Sequence, residues 1–570
     1  MVTYADRPWV KHYHEGVVEK INIPEISLPE IFDQTVAKYP DNNAIYFLGR
    51  KITYKELKDH VDRFAAALAD LGIKKGDVLA IHMPNMPQFV IAYYGALRIG
   101  AAVTCISALL TAPEAKFQLN DAQAKAIVTM DGKLGAIEPL QIVNNIKNDT
   151  KLEHIIVTNL TDYLPGKPRR PAEKEGSHQM ANLIADHQPN PPKVKINPKE
   201  DVAALQYTGG TTGVPKGAML THYNLASNAK QIRSWFGWNL KEGKETCIGN
   251  LPFFHIYGMT CCMNASIDMG FCVALTIDPR DFPSLLSLIR STKPSFFPGV
   301  PALYTRLLQT KGIEKYYEDL KSIRMCNSGA GPLPPEVIRQ FEQVTGGSIL
   351  EGYGLTECCP VTHINPDKET RIIGSIGLPI PGTDCRIVDQ QTGTKLMPVG
   401  EAGELAIRGP QVMKGYWNKP EETKNQLKTK FLGEAGVWLL TGDIAKMDEQ
   451  GYFYIVDRKK DMIDVSGFKV YPREIDDKLY EHPQVAMAAT VGIPDPKNPG
   501  SELVKAFIVL KPGIPENDET KKSIVDFARK SMAPYKVPKE IEFRKELPLN
   551  IIGKVLKYTF RDEEKKKSKT

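Results

Sequence analysis

The sequence predicts a large N-terminal α/β domain followed by a small α+β domain. The chain has 570 residues, and because a single hydrophobic core stops growing at about 250–300 residues, several packed units are expected. Short β-branched apolar runs alternate with amphipathic helical patterns, which is typical of parallel sheets covered by helices. Further along, the runs become shorter and are broken by Gly and Pro, which indicates a β-rich unit. We therefore expect two stacked α/β sheets and a small β-barrel in the large domain.

The first α/β elements begin with a strongly periodic helix. Thr53 and Glu56 stand at its start and predict a capping box, and Gly72 stands where the helix should end. Short apolar runs that begin at Val78 and Lys125 predict two buried strands of a parallel sheet.

One apolar segment, residues 89–110, is about as long as a membrane span. It contains Gly95, Arg98 and Gly100 near its middle, and the segments beside it are amphipathic. We therefore interpret it as a buried helix that ends near Gly100, followed by a strand.

The second α/β unit shows the same alternation, and the C-terminal unit has an α+β pattern. Residues 165–200, rich in Pro, Lys, Asn and His, are predicted to form an exposed connection. Strands are predicted at 202–207, 272–277, 295–299, 323–329, 485–492 and 503–511. Helices are predicted at 221–236, 282–290, 472–482 and 516–532.

The predicted domain boundaries follow these changes in pattern. The N-terminal domain spans 1–457 and the C-terminal domain spans 462–570, with a basic, turn-like hinge at 458–461 between them. Within the N-terminal domain we expect two α/β subdomains and one β-rich subdomain, at 1–200, 201–373 and 374–457.

Charge and cysteine content argue against several classes of protein. The formal net charge of +6 is too small over 570 residues to indicate nucleic acid as the main partner. Nine cysteines without a CxxC pair argue against a disulfide framework or a structural zinc site and favour a reducing compartment. The first residues lack the apolar core of a signal peptide, so a cytoplasmic location is expected.

The strongest local pattern is a glycine- and threonine-rich loop, YTGGTTGVPKGAML, between a predicted strand and a predicted helix. Its glycines would let backbone N–H groups approach phosphate oxygens, its threonines add hydroxyl donors, and Lys216 adds a positive charge. It is not a Walker A motif, because Pro215 precedes the lysine and no Ser or Thr follows it. A phosphate-binding loop is therefore predicted, with a plain surface turn as the alternative. Besides Lys216, the residues of this loop that are expected to contact phosphate are Thr208, Gly209, Gly210, Thr211, Thr212 and Gly213.

A series of motifs follows this loop along the chain. It comprises PFFHIYG, GVP, SGAGPL, EGYGLTE, GELAIRGP, GYWNKPEET, TGD, DRKKDMIDVSGFKVYPREI and a late Gly553–Lys554. In these motifs and their order the chain resembles, over nearly its whole length, the adenylate-forming (AMP-binding) superfamily, which includes acyl-CoA synthetases, nonribosomal peptide adenylation domains and firefly luciferase. The subgroup that it resembles most is the bacterial-type long-chain fatty-acid–CoA ligases. Leu440 and Ile552 depart from the polar residues that many members have before TGD and before the final Gly-Lys.

The resemblance implies a nucleotide site. Lys216 and the loop would hold the β- and γ-phosphates of ATP, and Glu357 would ligate Mg²⁺. Tyr353 would stack on the adenine, opposite a wall of backbone at 329–331. Asp443 would accept hydrogen bonds from both ribose hydroxyls, with Arg458 as a further donor to the sugar. The residues implied in ATP or AMP binding also include Gly329, Ala330, Gly331, Glu351, Gly352, Gly354 and Thr356.

The resemblance also implies that the small domain moves. Lys554 would enter from it and bridge the carboxylate and the α-phosphate in the first step. The domain would then rotate about Lys460 to open a pantetheine tunnel, with Ser466 and Gly467 beside the CoA. His255 would lie at the mouth of the acyl pocket, although a lone histidine in an apolar run is as readily a core residue.

The sequence thus predicts an ATP- and Mg²⁺-dependent acid–thiol ligase that converts a fatty acid to acyl-AMP and then, with CoA, to acyl-CoA. The alternatives are a CoA ligase for an aryl or short branched acid, and an adenylate-forming oxygenase of the luciferase type. Fatty acid, ATP and CoA are the expected partners, with Lys469, Arg473 and Lys536 as candidates for binding the CoA phosphates. A homodimer and peripheral contact with the inner face of a membrane both stay open.

Overall fold

The computed structural model describes residues 2–165, 171–172, 175–208, 215–466, 468–496, 498, 501–549 and 555–567. These residues form sheets of nine, eight, five, three and two strands. Helices cover the two largest sheets, so the predicted α/β class of the large domain is confirmed.

The largest sheet has nine strands and is parallel at its centre, with antiparallel strands at both ends. Its central strands are short, and most of their residues are buried, as expected of a sheet covered on both faces. In spatial order they are Leu378–Pro379, Val361–Ile364, Ser348–Gly354, Met325–Ser328, Phe296–Gly299, Thr246–Gly249, Cys272–Leu275, Asn43–Phe47 and Arg50–Thr53.

The second large sheet has eight strands. Its middle strand Val78–His82 is buried at every residue and pairs in parallel with both neighbours, as its apolar sequence predicts. In spatial order the strands are Gly415–Tyr416, Lys216–Thr221, Val202–Thr208, Ala102–Cys105, Val78–His82, Ala126–Met130, His154–Thr158 and His178–Gln179.

The strands of these two sheets do not divide at residue 200. Asn43–Phe47, from the first segment, pairs in parallel with Cys272–Leu275 in the nine-stranded sheet. Val202–Thr208, from the second segment, pairs with Ala102–Cys105 in the eight-stranded sheet. Such pairings depend on packing between distant segments, which local patterns do not encode. Each sheet therefore draws strands from both sides of residue 200. The predicted subdomain boundaries themselves stay predictions.

The β-rich part forms an open five-stranded sheet, so the prediction of a small β-barrel was wrong. Trp438–Met447 pairs on one side with Gly403–Arg408 and on the other, end to end, with Leu427–Lys428 and Phe453–Arg458. Because two strands share one edge of the long strand, they do not continue around a barrel. The outer strand Asp384–Val388 pairs with Gly403–Arg408, and among the described residues no strand joins it to the far edge.

The C-terminal unit has the predicted α+β composition. A three-stranded sheet contains Val485–Pro494, Glu502–Leu510 and Glu540–Phe543. A two-stranded hairpin precedes it, formed by Ile463–Val465 and Phe468–Val470. The helices of this unit are Pro472–Tyr480, Asp518–Ser531 and Lys557–Lys567.

The remaining α-helices belong to the large domain. They are Leu28–Lys38, Tyr54–Asp70, Pro87–Arg98, Ala112–Asp121, Pro139–Ile146, Met180–Asp186, His222–Phe236, Ala265–Asp268, Phe282–Thr292, Pro301–Leu308, Tyr317–Leu320, Pro335–Thr345 and Pro420–Gln426. In the part of the chain that the structure describes, no helix combines the length and apolar character that crossing a membrane requires.

The apolar segment 89–110 has the predicted conformation. It forms most of the buried helix Pro87–Arg98, and Gly100 then adopts a left-handed φ of +75° before the strand Ala102–Cys105. A left-handed residue just past the last helical turn is a position that favours glycine.

The helix Tyr54–Asp70 is capped differently from the prediction. The Thr53 hydroxyl accepts from the backbone N–H of Glu56, as predicted. The Glu56 carboxylate, however, accepts from Arg50 at 2.6 Å, because the preceding strand places that guanidinium beside it.

The connection predicted at 165–200 contains two regular elements, so it is not exposed along its whole length. His178–Gln179 adds an edge strand beside His154–Thr158, and Met180–Asp186 is a short helix packed on Tyr54–Asp70. This helix buries only Met180 and Ile184 fully, which is too short a pattern to recognise in a polar segment.

Candidate functional site

The predicted phosphate loop joins two antiparallel strands. Thr208 ends one strand, Lys216 begins the next, and the two residues pair across the hairpin. The second half of the predicted loop is a strand that the sequence analysis did not predict, Lys216–Thr221, and the predicted helix, His222–Phe236, follows it. The predicted phosphate contacts Gly209, Gly210, Thr211, Thr212 and Gly213 lie outside the described residues.

Glu357 lies close to Lys216 through a shared neighbour, Tyr416. The Tyr416 hydroxyl donates to Glu357 Oε1 at 2.6 Å. The Lys216 Nζ lies 5.5 Å from the centroid of the Tyr416 ring, within the range of a cation–π contact. The structure therefore brings together the two charged residues that the sequence assigned to phosphate and metal.

The predicted adenine wall follows the strand Met325–Ser328. A Cβ at Gly329 would lie 3.2 Å from the Tyr257 ring, so a larger residue would crowd this turn. The position of the Tyr257 ring is fixed by a hydrogen bond, which its hydroxyl donates to the backbone oxygen of Asn327 at 2.8 Å. Ala330 adopts a left-handed φ of +71°, uncommon for a residue with a side chain and often found at functional turns. Ala330 and Gly331 are exposed.

Tyr353, Asp443 and Arg458 form one cluster. The Tyr353 hydroxyl donates to Asp443 Oδ2 at 2.6 Å, and Arg458 Nε lies 3.3 Å from Asp443 Oδ1. Asp443 and Arg458 face each other across two paired strands. Burial raises the pKa of Tyr353 well above its usual value, and Asp443 raises the pKa of Arg458. At neutral pH the tyrosine stays a donor and the arginine a cation, which suits a carboxylate that accepts hydrogen bonds from a ribose.

Other residues of the predicted nucleotide site shape the hairpin around Tyr353. A Cβ at Gly354 would lie 2.3 Å from the Pro360 oxygen, and one at Gly352 would lie 2.9 Å from an Asn327 nitrogen, so both positions need glycine. Thr356 begins the short turn that carries Glu357.

Glu351 has a different environment from its neighbours. Its carboxylate is buried and accepts from the backbone N–H of Gly374 at 2.9 Å and, weakly, of Leu333. Burial raises its pKa. These contacts tie two loops to the strand, and a direct contact between Glu351 and a nucleotide stays a prediction.

The predicted hinge is bound on both sides of Lys460. Lys459 donates to the buried Glu404 at 2.8 Å, and Glu404 belongs to the five-stranded sheet. Asp461 accepts from Arg561 of the last helix. Lys460 is an exposed residue, and partial desolvation of its ammonium group, followed by the charge of Arg458, lowers its pKa.

Ser466 and His255 are two further predicted residues that the structure describes. Ser466 adopts a left-handed φ of +52°, and its backbone N–H donates to Ser501 at 2.8 Å. Gly467 and Lys554 lie outside the described residues. His255 lies before a buried π-helical turn, Gly258–Asn264, and burial lowers its pKa to about 4, so it is neutral at physiological pH.

Two of the candidate CoA-phosphate cations are paired within the small domain, whereas Arg473 also contacts the large domain. Lys469 contacts Asp464 at 2.6 Å, and Lys536 contacts Glu474 at 2.6 Å. The Arg473 guanidinium donates to the Ile455 oxygen.

Sequence reasoning missed several residues that the structure places in or beside the site. Tyr416 and Glu404 lie in motifs that carried the resemblance, GYWNKPEET and GELAIRGP, but no role was assigned to either. Lys459 lies within the predicted hinge at 458–461, but its ion pair with Glu404 was missed, as was Arg561. No local pattern identifies them, because each acts through a partner distant in the chain.

Glu357 fits the Mg²⁺ that the resemblance implies. In the described parts of the chain no cluster of three or more His, Cys, Asp and Glu side chains could hold a metal ion by itself. Mg²⁺ is commonly bound by one or two carboxylates together with substrate phosphates and water. With Oε1 bound to Tyr416, the second oxygen of Glu357 receives no hydrogen bond from the described residues and suits this arrangement.

Comparison with known proteins agrees with the geometry. Residues 32–417 match the family model of AMP-binding enzymes, and residues 474–554 match that of the AMP-binding enzyme C-terminal domain. The chain is 41% identical to a long-chain-fatty-acid–CoA ligase of Bacillus subtilis strain 168, covering 98% of each protein. It is 38% identical to the protein of that name from Escherichia coli O6:H1, covering 97% of this chain and 98% of that one. The crystal structure of the anthranilate CoA ligase AuaEII in complex with anthranoyl-AMP matches with a TM-score of 0.81 at 25% identity, covering all of both chains.

Proposed function

Because this chain belongs to the family of AMP-binding enzymes, we propose that it joins a fatty acid to CoA in two steps. In the first, a carboxylate oxygen of the acid attacks the α-phosphorus of ATP, so that an acyl-AMP forms and pyrophosphate leaves. In the second, the CoA thiol loses its proton and its sulfur attacks the acyl carbon, so that acyl-CoA forms and AMP leaves. The relatives named above support a long-chain acid as the substrate.

One observation carries this proposal. The segment from Tyr353 to Glu357 directs its tyrosine to Asp443 and its glutamate to Tyr416, the neighbour of Lys216. A nucleotide lying along this segment would meet a ribose acceptor at one end and a carboxylate and an ammonium group at the other.

The charged residues have separate tasks in the first step. Lys216 offsets the negative charge of the β- and γ-phosphates, while Asp443 fixes the ribose and so aligns the α-phosphorus with the incoming acid. Glu357 would hold Mg²⁺, which, when bound, offsets phosphate charge and makes pyrophosphate a better leaving group. Lys554 would add a cation where negative charge builds on the carboxylate and α-phosphate oxygens.

The contacts on either side of Lys460 support its role as the pivot of the small domain. Lys459 is bound to the large domain through Glu404, whereas Asp461 is bound to the last helix through Arg561. If the small domain rotates while both ion pairs stay intact, the change in backbone dihedral angles must therefore occur between Lys459 and Asp461.

Replacing Lys460 with proline is expected to leave acyl-AMP formation within about threefold and to lower acyl-CoA formation at least about tenfold, because the ring fixes φ near −65° and blocks the rotation. ATP–pyrophosphate exchange measures the first step, and conversion of supplied acyl-AMP by CoA measures the second. Lys460→Ala, which removes the side chain but leaves φ free, should retain both steps. Normal overall turnover of the proline variant would exclude Lys460 as the pivot.

The class of acid is tested with a panel from acetate to palmitate plus benzoate, followed by detection of the acyl-CoA product. The proposal predicts the highest kcat/KM for the long-chain acids. The second candidate function is a ligase for aromatic acids. It is motivated by the structural match with an aryl-acid ligase. Preference for benzoate would establish that alternative, and absence of any thioester with every acid would overturn the proposed function.

A further inference from the structure

Tyr416 connects the two charged residues at the phosphate end of the proposed site. It belongs to the two-residue strand Gly415–Tyr416, which pairs with the strand that begins at Lys216, Tyr416 opposite Ala218. The residue is only 5% exposed. Its position is therefore set by the sheet and not by a flexible loop.

The backbone around Tyr416 is bound to both partners. The Met413 N–H donates to the backbone carbonyl oxygen of Glu357 at 2.8 Å. The Trp417 N–H donates to the backbone carbonyl oxygen of Gly217, also at 2.8 Å. The Tyr416 N–H donates to the Thr423 hydroxyl at 2.8 Å. Because one short stretch of chain fixes the backbone beside Glu357 and beside Lys216, the tyrosine side chain between them has little freedom to move.

The Tyr416 side chain makes a different contact with each charged residue. Its hydroxyl donates to Glu357 Oε1 at 2.6 Å, a short hydrogen bond to an ionised acceptor. This bond fixes the carboxylate rotamer and leaves Oε2 for another ligand. The ring presents its electron-rich face to the Lys216 ammonium, 5.5 Å from the centroid.

We propose that Tyr416 is a positioning residue that orients Glu357 for the metal ion and Lys216 for the phosphates, so that both are set before the nucleotide binds. This role rests on the proposed function, since it concerns the same ATP site. Partners that orient metal ligands from behind typically contribute about ten- to hundredfold to metal affinity.

The proposal is tested with Mn²⁺ as a paramagnetic probe. Electron paramagnetic resonance measures free Mn²⁺ as it is titrated into the enzyme with saturating ATP. Tyr416→Phe keeps the ring and removes only the hydroxyl, so the dissociation constant of Mn²⁺ is expected to rise about ten- to hundredfold. Binding of ATP without metal, measured in EDTA, should stay unchanged in this variant.

A second variant separates the ring from the hydroxyl. Tyr416→Leu should raise the Mn²⁺ constant as far as Tyr416→Phe does, and should also weaken metal-free ATP binding about two- to fivefold, because Lys216 loses the ring. Tyr54→Phe is the matched control: Tyr54 is fully buried in another part of the core and donates to the Phe271 oxygen at 2.7 Å. Its Mn²⁺ and ATP constants should equal those of the wild type.

The possible outcomes discriminate between the two proposals. Wild-type protein that binds no Mn²⁺–ATP would overturn the proposed function and this role with it. Normal Mn²⁺–ATP binding by the wild type together with an unchanged constant in Tyr416→Phe would overturn the role of Tyr416 alone. An equal weakening in Tyr54→Phe would show a general loss of packing and would also overturn it.

Discussion

Replacing Asp443 with alanine is expected to lower kcat/KM for ATP in the ATP–pyrophosphate exchange reaction by at least about a hundredfold. In the proposed site Asp443 accepts hydrogen bonds from two ribose hydroxyls, and hydrogen bonds to a charged group contribute about 1.5–3 kcal/mol each. Two such bonds amount to about 3–6 kcal/mol, and every 1.4 kcal/mol is a factor of ten. The substitution also removes the acceptor of Tyr353 and the partner of Arg458.

The turn that follows the strand of Asp443 offers a control. Asp448 accepts from the hydroxyl of Tyr454 at 2.9 Å, much as Asp443 accepts from Tyr353. Asp448→Ala should therefore cost comparable stability but leave kcat/KM for ATP within about threefold. A similar loss of activity in both variants, or an Asp443→Ala enzyme with normal ATP use, would show that Asp443 does not bind the ribose.

The sequence predicted well those elements whose formation depends on local pattern. The strand Val78–His82 and the helix His222–Phe236 could be predicted because burial imposes an apolar run on one and a 3.6-residue period on the other. The exchange of strands between the two large sheets could not, because the pairing of Asn43–Phe47 with Cys272–Leu275 is decided by packing between distant segments. The open β-rich sheet was missed for the same reason.

The site shows a similar division. Lys216, Glu357 and Asp443 stand in motifs whose residue types reveal charge chemistry, and the structure gives each of them surroundings that suit it. Tyr416 stands in a motif as well, but a tyrosine beside a glycine indicates only a buried strand. Its contact with Glu357 arises from a pairing between the two-residue strand and the strand after the phosphate loop, which the sequence does not reveal.

The hinge was predicted from resemblance, and its two anchors were not. Glu404 would ordinarily be interpreted as a polar residue of a strand, and Arg561 as a charge on a solvated terminal helix. The role proposed for them depends on two ion pairs that the sequence does not reveal, Lys459 with Glu404 and Asp461 with Arg561.

Replacing Lys554 with alanine is expected to reduce acyl-AMP formation about a hundred- to a thousandfold, the loss typical for one group that stabilises charge in a transition state. Conversion of supplied acyl-AMP by CoA should stay within about threefold, because no negative charge then builds between the carboxylate and ATP. The residues that flank Lys554 should keep the fold intact: Leu556 bonds to Pro548 at 2.8 Å, and Lys557 pairs with the buried Asp476 at 2.7 Å.

The two partial reactions of Lys554→Ala are compared with those of Lys545→Ala, which removes an exposed lysine from the same domain. The control should retain both reactions, which would show that the loss is not an effect of net charge. Pyrophosphate exchange and thioester formation from acyl-AMP are measured on the same preparations. If Lys554→Ala lost both reactions equally, the residue would serve binding or folding in general. If it lost neither, the cation that completes the first step would have to come from elsewhere, and Lys216, which the proposed site assigns to the phosphates, would be the next residue to test.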